Sequence, residues 1–126
     1  MSLLSHNWLI KRIATDHICD AIKRWGYGHT VDVGCGTMPY AHLFGKYTGI
    51  EFDFLRYQSV PPNIWGSALD LPISDVSVDT VFSSQVLEHV TEPWRMVAEM
   101  ARILKPEGYF ILTAPHIWGL HEVPRD

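Results

Sequence analysis

The run from His29 to Tyr40, His-Thr-Val-Asp-Val-Gly-Cys-Gly-Thr-Met-Pro-Tyr, constrains the chain more than any other segment. It reads as a short buried strand, a glycine turn and a helix start at Pro39. Gly34 and Gly36 let the backbone turn tightly with no side chain in the way. Such a turn leaves peptide N–H groups bare at the mouth of a helix, where a ligand can lie. In an α/β fold this is where a nucleotide-like cofactor is held. A dinucleotide fingerprint needs a third glycine three residues after the second, and Pro39 stands there. Proline suits a first helical turn but changes the helix–strand entry. No Gly-Lys-Ser/Thr follows, so this is not a Walker phosphate loop.

Strands and helices alternate around this segment. Residues 7–25 form an amphipathic pattern, with Ile10, Ile13, Ile18, Ile22 and Trp25 at helical spacing and Ser5 or Asn7 as cap. Strands are expected at 30–33, 47–51, 63–66, 80–84 and 109–113. Short and long helices are expected at 39–45 and 92–104. The longer one has Pro93 in its first turn and an apolar stripe of Trp94, Val97, Met100, Ala101 and Leu104. Pro106-Glu-Gly108 reads as the turn before the last strand. Alternation of this kind argues a parallel sheet with helices on its faces.

Composition narrows the function classes. The 126 residues suit one domain, and 47% hydrophobic with 19% charged residues is the balance of a globular chain with a core. A net charge of −4, with no basic cluster beyond Lys11-Arg12 and Lys23-Arg24, gives no footprint for nucleic acid. No apolar run reaches the length of a membrane span, and the N-terminus lacks a secretory pattern. Cys19 and Cys35 make no disulfide framework, which points to a reducing cytoplasm. No His-x-x-x-His or Cys-x-x-Cys supports a metal site.

Five pieces in order resemble the class I S-adenosylmethionine (SAM) dependent methyltransferases. They are Asp32-Val-Gly34-Cys-Gly36; Tyr47-Thr-Gly-Ile-Glu51-Phe-Asp53; Gly66-Ser-Ala-Leu-Asp70-Leu-Pro72; the run from Val78 to Val90 containing Leu87-Glu-His89; and Leu104-Lys-Pro-Glu-Gly108 with the strand after it. The resemblance spans roughly 29–116. It departs from the family at Met38, where a third glycine is common, and at Ser67, where the family has an aspartate near the adenine.

The resemblance implies a Rossmann-like three-layer α/β sandwich with a mainly parallel sheet, about five strands present of the usual seven. Residues 1–28 are then an N-terminal helix and 29–126 the SAM-binding domain, ending early and so expected to be a shortened version. An open sheet edge would invite a second copy. The cofactor's amino-acid end would lie on Asp32 and the backbone of Gly34, Cys35, Gly36 and Thr37. A carboxylate at Asp32 is also suited to accept N–H groups of the turn. Glu51, 15 residues after Gly36, ends its strand where a carboxylate can accept both ribose hydroxyls, with Asp53 as fallback. Phe52, Ser67, Ala68 and Leu69 would surround the adenine. Ser84, Gln85, Glu88 and His89 follow the fourth strand at the ligand edge. His89 and His116 are the candidate bases, with His121 and Glu122 behind them. The expected reaction is methyl transfer to a small acceptor. The rivals are a non-catalytic or inactive SAM-fold fragment or binding module and, behind it, an NAD-dependent oxidoreductase.

Overall fold

Val31 and Val33 point one way from the first strand and Thr30 and Asp32 the other, as the pleat requires. Each side meets its own helix. In the computed structural model, which describes residues 8–115, the elements are α1 (Trp8–Trp25), β1 (His29–Val33), β2 (Lys46–Glu51), α2 (Phe54–Tyr57), β3 (Ile64–Trp65), β4 (Val78–Ser84), α3 (Pro93–Ile103) and β5 (Leu104–Thr113). The five strands form one sheet in the order β3-β2-β1-β4-β5, with every pairing parallel. On one face Val31, Val33, Ile50 and Val81 pack with Met96, Met100 and Ile103 of α3. On the other, Phe82 and Ile111 pack with Ile18 and Ile22 of α1. This is the expected three-layer Rossmann-like sandwich. Among the described residues no helix is long and apolar enough to cross a membrane.

Strand order places the site. The chain steps outward from β1 through β2 to β3, then returns to β4 on the other side of β1. The crevice outside the carboxyl ends of β1 and β4 is therefore a topological switch point, where ligands bind in open α/β sheets.

Several local expectations change. The helix expected at 39–45 is only a 3₁₀ turn, Ala41–Leu43. Met38 has φ 57°, which interrupts a helical run, and Phe44 is already extended on its way to β2. No α-helix N-terminus therefore follows the glycine turn. The turn expected at 106–108 is a bulge inside β5: Val78 pairs with Leu104 but Thr80 with Tyr109. Gly108 permits it, since a Cβ there would lie 2.8 Å from the Asp79 carbonyl oxygen. The buried stripe of α3 keeps the expected Met100 but has Met96 and Ile103 in place of Val97 and Leu104, and Trp94 is 69% exposed. Only the later turns of α1 are buried: Leu9, Ile10 and Ile13 are exposed while Ile22 is fully covered. The pattern of α1 also marks Trp25, which is exposed and lies against Tyr109 of β5 at 5.0 Å between ring centroids.

Candidate functional site

A cavity of about 420 Å³ opens at the switch point. That is within the usual size of a small-molecule site. The glycine turn forms its floor, with Gly34 at φ 74° and Gly36 at φ 53°. Gly34 also needs the space, because a Cβ would fall 2.4 Å from Val86 Cγ2. Gly36 instead faces Tyr57, whose ring lies 3.6 Å from where its Cβ would be.

The turn's donors are already engaged. Gly34 and Cys35 both donate their N–H to the Ile50 carbonyl, at 2.9 and 3.0 Å. Gly36 N–H donates to Glu51 Oε2 at 3.0 Å, and Met38 N–H to the Cys35 carbonyl. Thr37 is the residue of the turn whose N–H makes no hydrogen bond among the described residues. The expected row of bare N–H groups thus shrinks to one.

The hold on the turn expected of Asp32 falls to Glu51 instead. Glu51, 6% exposed, is the residue that holds the turn. Besides Gly36, it accepts from Phe52 N–H at 2.9 Å and Asp53 N–H at 3.2 Å through Oε1. Three of a carboxylate's roughly four acceptor positions are then taken. A grip on both ribose hydroxyls would need one of these bonds to be given up. Asp32 makes no such bond to the turn. Its Oδ2 accepts the Tyr47 hydroxyl at 2.6 Å. Burial raises the Asp32 carboxyl to about 7; the Tyr47 hydrogen bond opposes this and the nearby Glu51 charge adds to it.

Cys35 lies against β2, where Gly49 makes room: a Cβ on Gly49 would sit 2.8 Å from Cys35 Sγ. Burial, aided by Asp32 and Glu51, pushes its thiol to about 12, so it is a packing residue and no nucleophile.

Around the rim, Phe52 lines the cavity and is 68% exposed. Asp53 lines it and caps α2, accepting Arg56 N–H at 3.1 Å. Of the expected adenine group, Ala68 lines the cavity. Ser67 and Leu69 do not: Ser67 Oγ accepts Leu69 N–H within its own turn, and Leu69 packs on the α3 core. Ser84 and Gln85 reach the cavity, tied to Thr113 of β5 by hydrogen bonds of 2.9 Å (Thr113 Oγ1 to Ser84 Oγ) and 3.2 Å (Gln85 Nε2 to Thr113 Oγ1). His89 also lines it, with Nε2 3.6 Å from Glu88 Oε1. His116, His121 and Glu122 lie outside the described residues.

Sequence reasoning missed Arg56 and Tyr57, which line the cavity from α2. Four residues are too few for periodicity to reveal a helix; the capping aspartate Asp53 was the available signal. It also missed Tyr40, which lines the cavity and packs edge-on against Phe82 at 5.6 Å. Behind the site, Arg102 of α3 braces the segment 71–75. Its guanidinium donates to the carbonyls of Leu71 (2.9 Å) and Ile73 (2.8 Å) and to Glu99 and Asp75. Glu99 in turn accepts Leu71 N–H at 2.7 Å. Hydrogen bonds from Arg102 hold the Glu99 carboxyl below its usual range.

A parallel sheet with helices on both faces and a glycine turn at its switch point defines a Rossmann-like domain. The chain belongs to the methyltransferase domain family, whose family model matches residues 31–112. It is 37% identical over 116 residues to an uncharacterized methyltransferase of Mycobacteroides abscessus, covering 76% of this chain and 44% of that protein. The chain thus spans less than half the length of that relative. Among solved structures it is similar to a SAM-dependent methyltransferase of Thermotoga maritima, with a TM-score of 0.67 and 28% identity over 84% of this chain and 54% of the other. It is also similar to the [4+2]-cyclase SpnF, with a TM-score of 0.61 and 27% identity over 81% and 44%. One fold thus carries more than one chemistry.

Proposed function

We propose that this chain binds SAM at the switch point and forms the cofactor half of a methyltransferase acting on a small acceptor. The observation that carries this reading is the chemistry of the cavity floor. Asp32 and Glu51 both line it, and the N–H groups of Gly34, Cys35 and Gly36 are already spent. A diphosphate needs several free donors at a helix N-terminus, and here it would face two carboxyl groups. A ligand with a cationic amino-acid end fits this floor better than NAD does.

In this reading Asp32 receives the cationic amino-acid end and Thr37 N–H is the donor left for its carboxylate. Glu51 or Asp53 takes a ribose hydroxyl, and Phe52 and Ala68 cover the adenine. Bound SAM supplies a methyl already activated on sulfonium sulfur. The protein's contribution is then mainly alignment, which is worth several kcal/mol. His89, which lines the cavity, is the candidate to accept a proton from a weakly acidic acceptor. With both cysteines free, the reading also places the protein in a reducing cytoplasm. On β5, the outermost strand among the described residues, Tyr109 and Phe110 are each 40% exposed. Pairing of a second copy along β5 is the assembly we propose, tested by sedimentation over a concentration series.

Calorimetric titration with SAM and with NAD separates the readings. The proposal expects heat with SAM and none with NAD. Binding of NAD alone would overturn it, and binding of neither would favour a non-catalytic module.

A further inference from the structure

Tyr47 lies outside the glycine-turn motif, yet it is the side chain that grips Asp32. Its hydroxyl donates to Asp32 Oδ2 at 2.6 Å, in the range of a hydrogen bond to a charged oxygen. The pair bridges two strands. Tyr47 pairs with Thr30 and Asp32 with Gly49, so the hydroxyl reaches diagonally along the shared face of β1 and β2. Gly49 has no side chain to block that path, and Cys35 and Met38 close over it instead. The Tyr47 ring is itself fixed, stacked on Phe44 with centroids 5.8 Å apart and planes at 29°.

We propose that Tyr47 is a positioning residue for the cofactor: it holds the Asp32 carboxylate at the wall of the cavity, ready for a cationic amino-acid end. This rests on the SAM reading above. The physical need is plain. Asp32 is 2% exposed, and burial alone favours a neutral carboxyl, which would attract a cation weakly. The titratable groups that face it are Tyr47 and Glu51 on β2 and Cys35 in the turn. Glu51 and burial oppose the carboxylate, and Tyr47 favours it. From the α1 side the packing is apolar, through Ile18 and Ile22 against Phe82. Tyr47 is thus the neighbour that keeps the acid available as an anion.

The test compares SAM binding by wild type, Tyr47→Phe and Asp32→Asn between pH 5.5 and 8.5. It is paired with an NMR titration of the Asp32 carboxyl in the unliganded proteins. Phenylalanine keeps the ring and its stack on Phe44, and near-UV circular dichroism checks the fold. Wild-type affinity should rise as pH passes about 7. Tyr47→Phe should move that midpoint, and the carboxyl titration with it, up by about one pH unit. SAM binding should then weaken about fivefold at pH 7 but less than about twofold at pH 8.5. Asp32→Asn should remove the rise through about pH 7, leaving only the decline at the alkaline end where the ligand's own amine loses its proton. Equal weakening at every pH, or an unmoved carboxyl titration, would overturn the proposal and leave Tyr47 a packing residue. If wild type binds no SAM, the functional reading fails, and the proposal with it. The unliganded titration shows whether the Tyr47–Asp32 contact itself tunes the acid.

Discussion

Asp32→Asn should make the protein's stability less sensitive to pH. Asp32 is buried, and its carboxyl is raised from 3.8 to about 7. At 1.36 kcal/mol per pH unit, carrying the charge in the folded state costs about 4 kcal/mol once the pH is above both values. The sign follows from proton binding. Between pH 3.8 and about 7 the folded state holds a proton that the unfolded state has lost. Stability from this group is therefore full below pH 3.8 and falls as pH rises to about 7. About 2.5 kcal/mol of the swing lies between pH 5 and pH 8. Asparagine cannot ionise, so its stability relative to wild type should climb by that amount across the range. Any penalty for an unpaired amide hydrogen is a constant offset and leaves the slope intact. Urea unfolding of both proteins at pH 5, 6, 7 and 8 measures the difference directly. A difference that stays flat with pH would refute the reasoning, since it would mean that Asp32 ionises in the fold as easily as in the unfolded chain. The same variant should bind SAM poorly.

Other predictions follow from packing and local geometry. Met100→Ala should cost about 2–5 kcal/mol in chemical unfolding, because Met100 is fully buried. Trp94→Ala should stay within about 0.5 kcal/mol despite removing the larger side chain, because Trp94 is 69% exposed. Gly34→Ala should abolish SAM binding and lower the melting temperature, given its positive φ and the 2.4 Å approach to Val86, whereas Gly45→Ala, with nothing within 4 Å, should leave both unchanged. Thiol labelling at pH 8 should modify Cys19 well before Cys35, whose thiol is buried and raised to about 12; equal rates would contradict the packing of the turn.

The strands were legible because a buried parallel strand leaves a short apolar run in a fixed order around the glycine turn. Four of the five appear where the sequence places them, within a residue or two, and β5 begins five residues earlier, at Leu104 rather than Tyr109, because its bulge takes in Pro106-Glu-Gly108. The helix faces were less legible. Trp94 drew the expected stripe of α3 toward itself, but a first-turn tryptophan can lie outside the core while Met96 and Met100 fill it. The helix after the glycine turn failed for a backbone reason, the positive φ at Met38, which no pattern of apolar residues encodes. At the site, residue types were legible and partners were not. Asp32 and Glu51 both line the cavity. That Glu51 ties the turn while Asp32 pairs with Tyr47 depends on register between β1 and β2, which a single sequence does not specify.

The central claim is that SAM lies across the glycine turn with its cationic end at Asp32. A backbone-amide NMR titration with SAM tests it most directly. The account predicts saturable shifts concentrated at Thr37, Phe52, Ala68 and the residues beside Asp32, with none on addition of NAD. Saturable SAM shifts confined to other surfaces, or shifts at the turn caused by NAD alone, would contradict it.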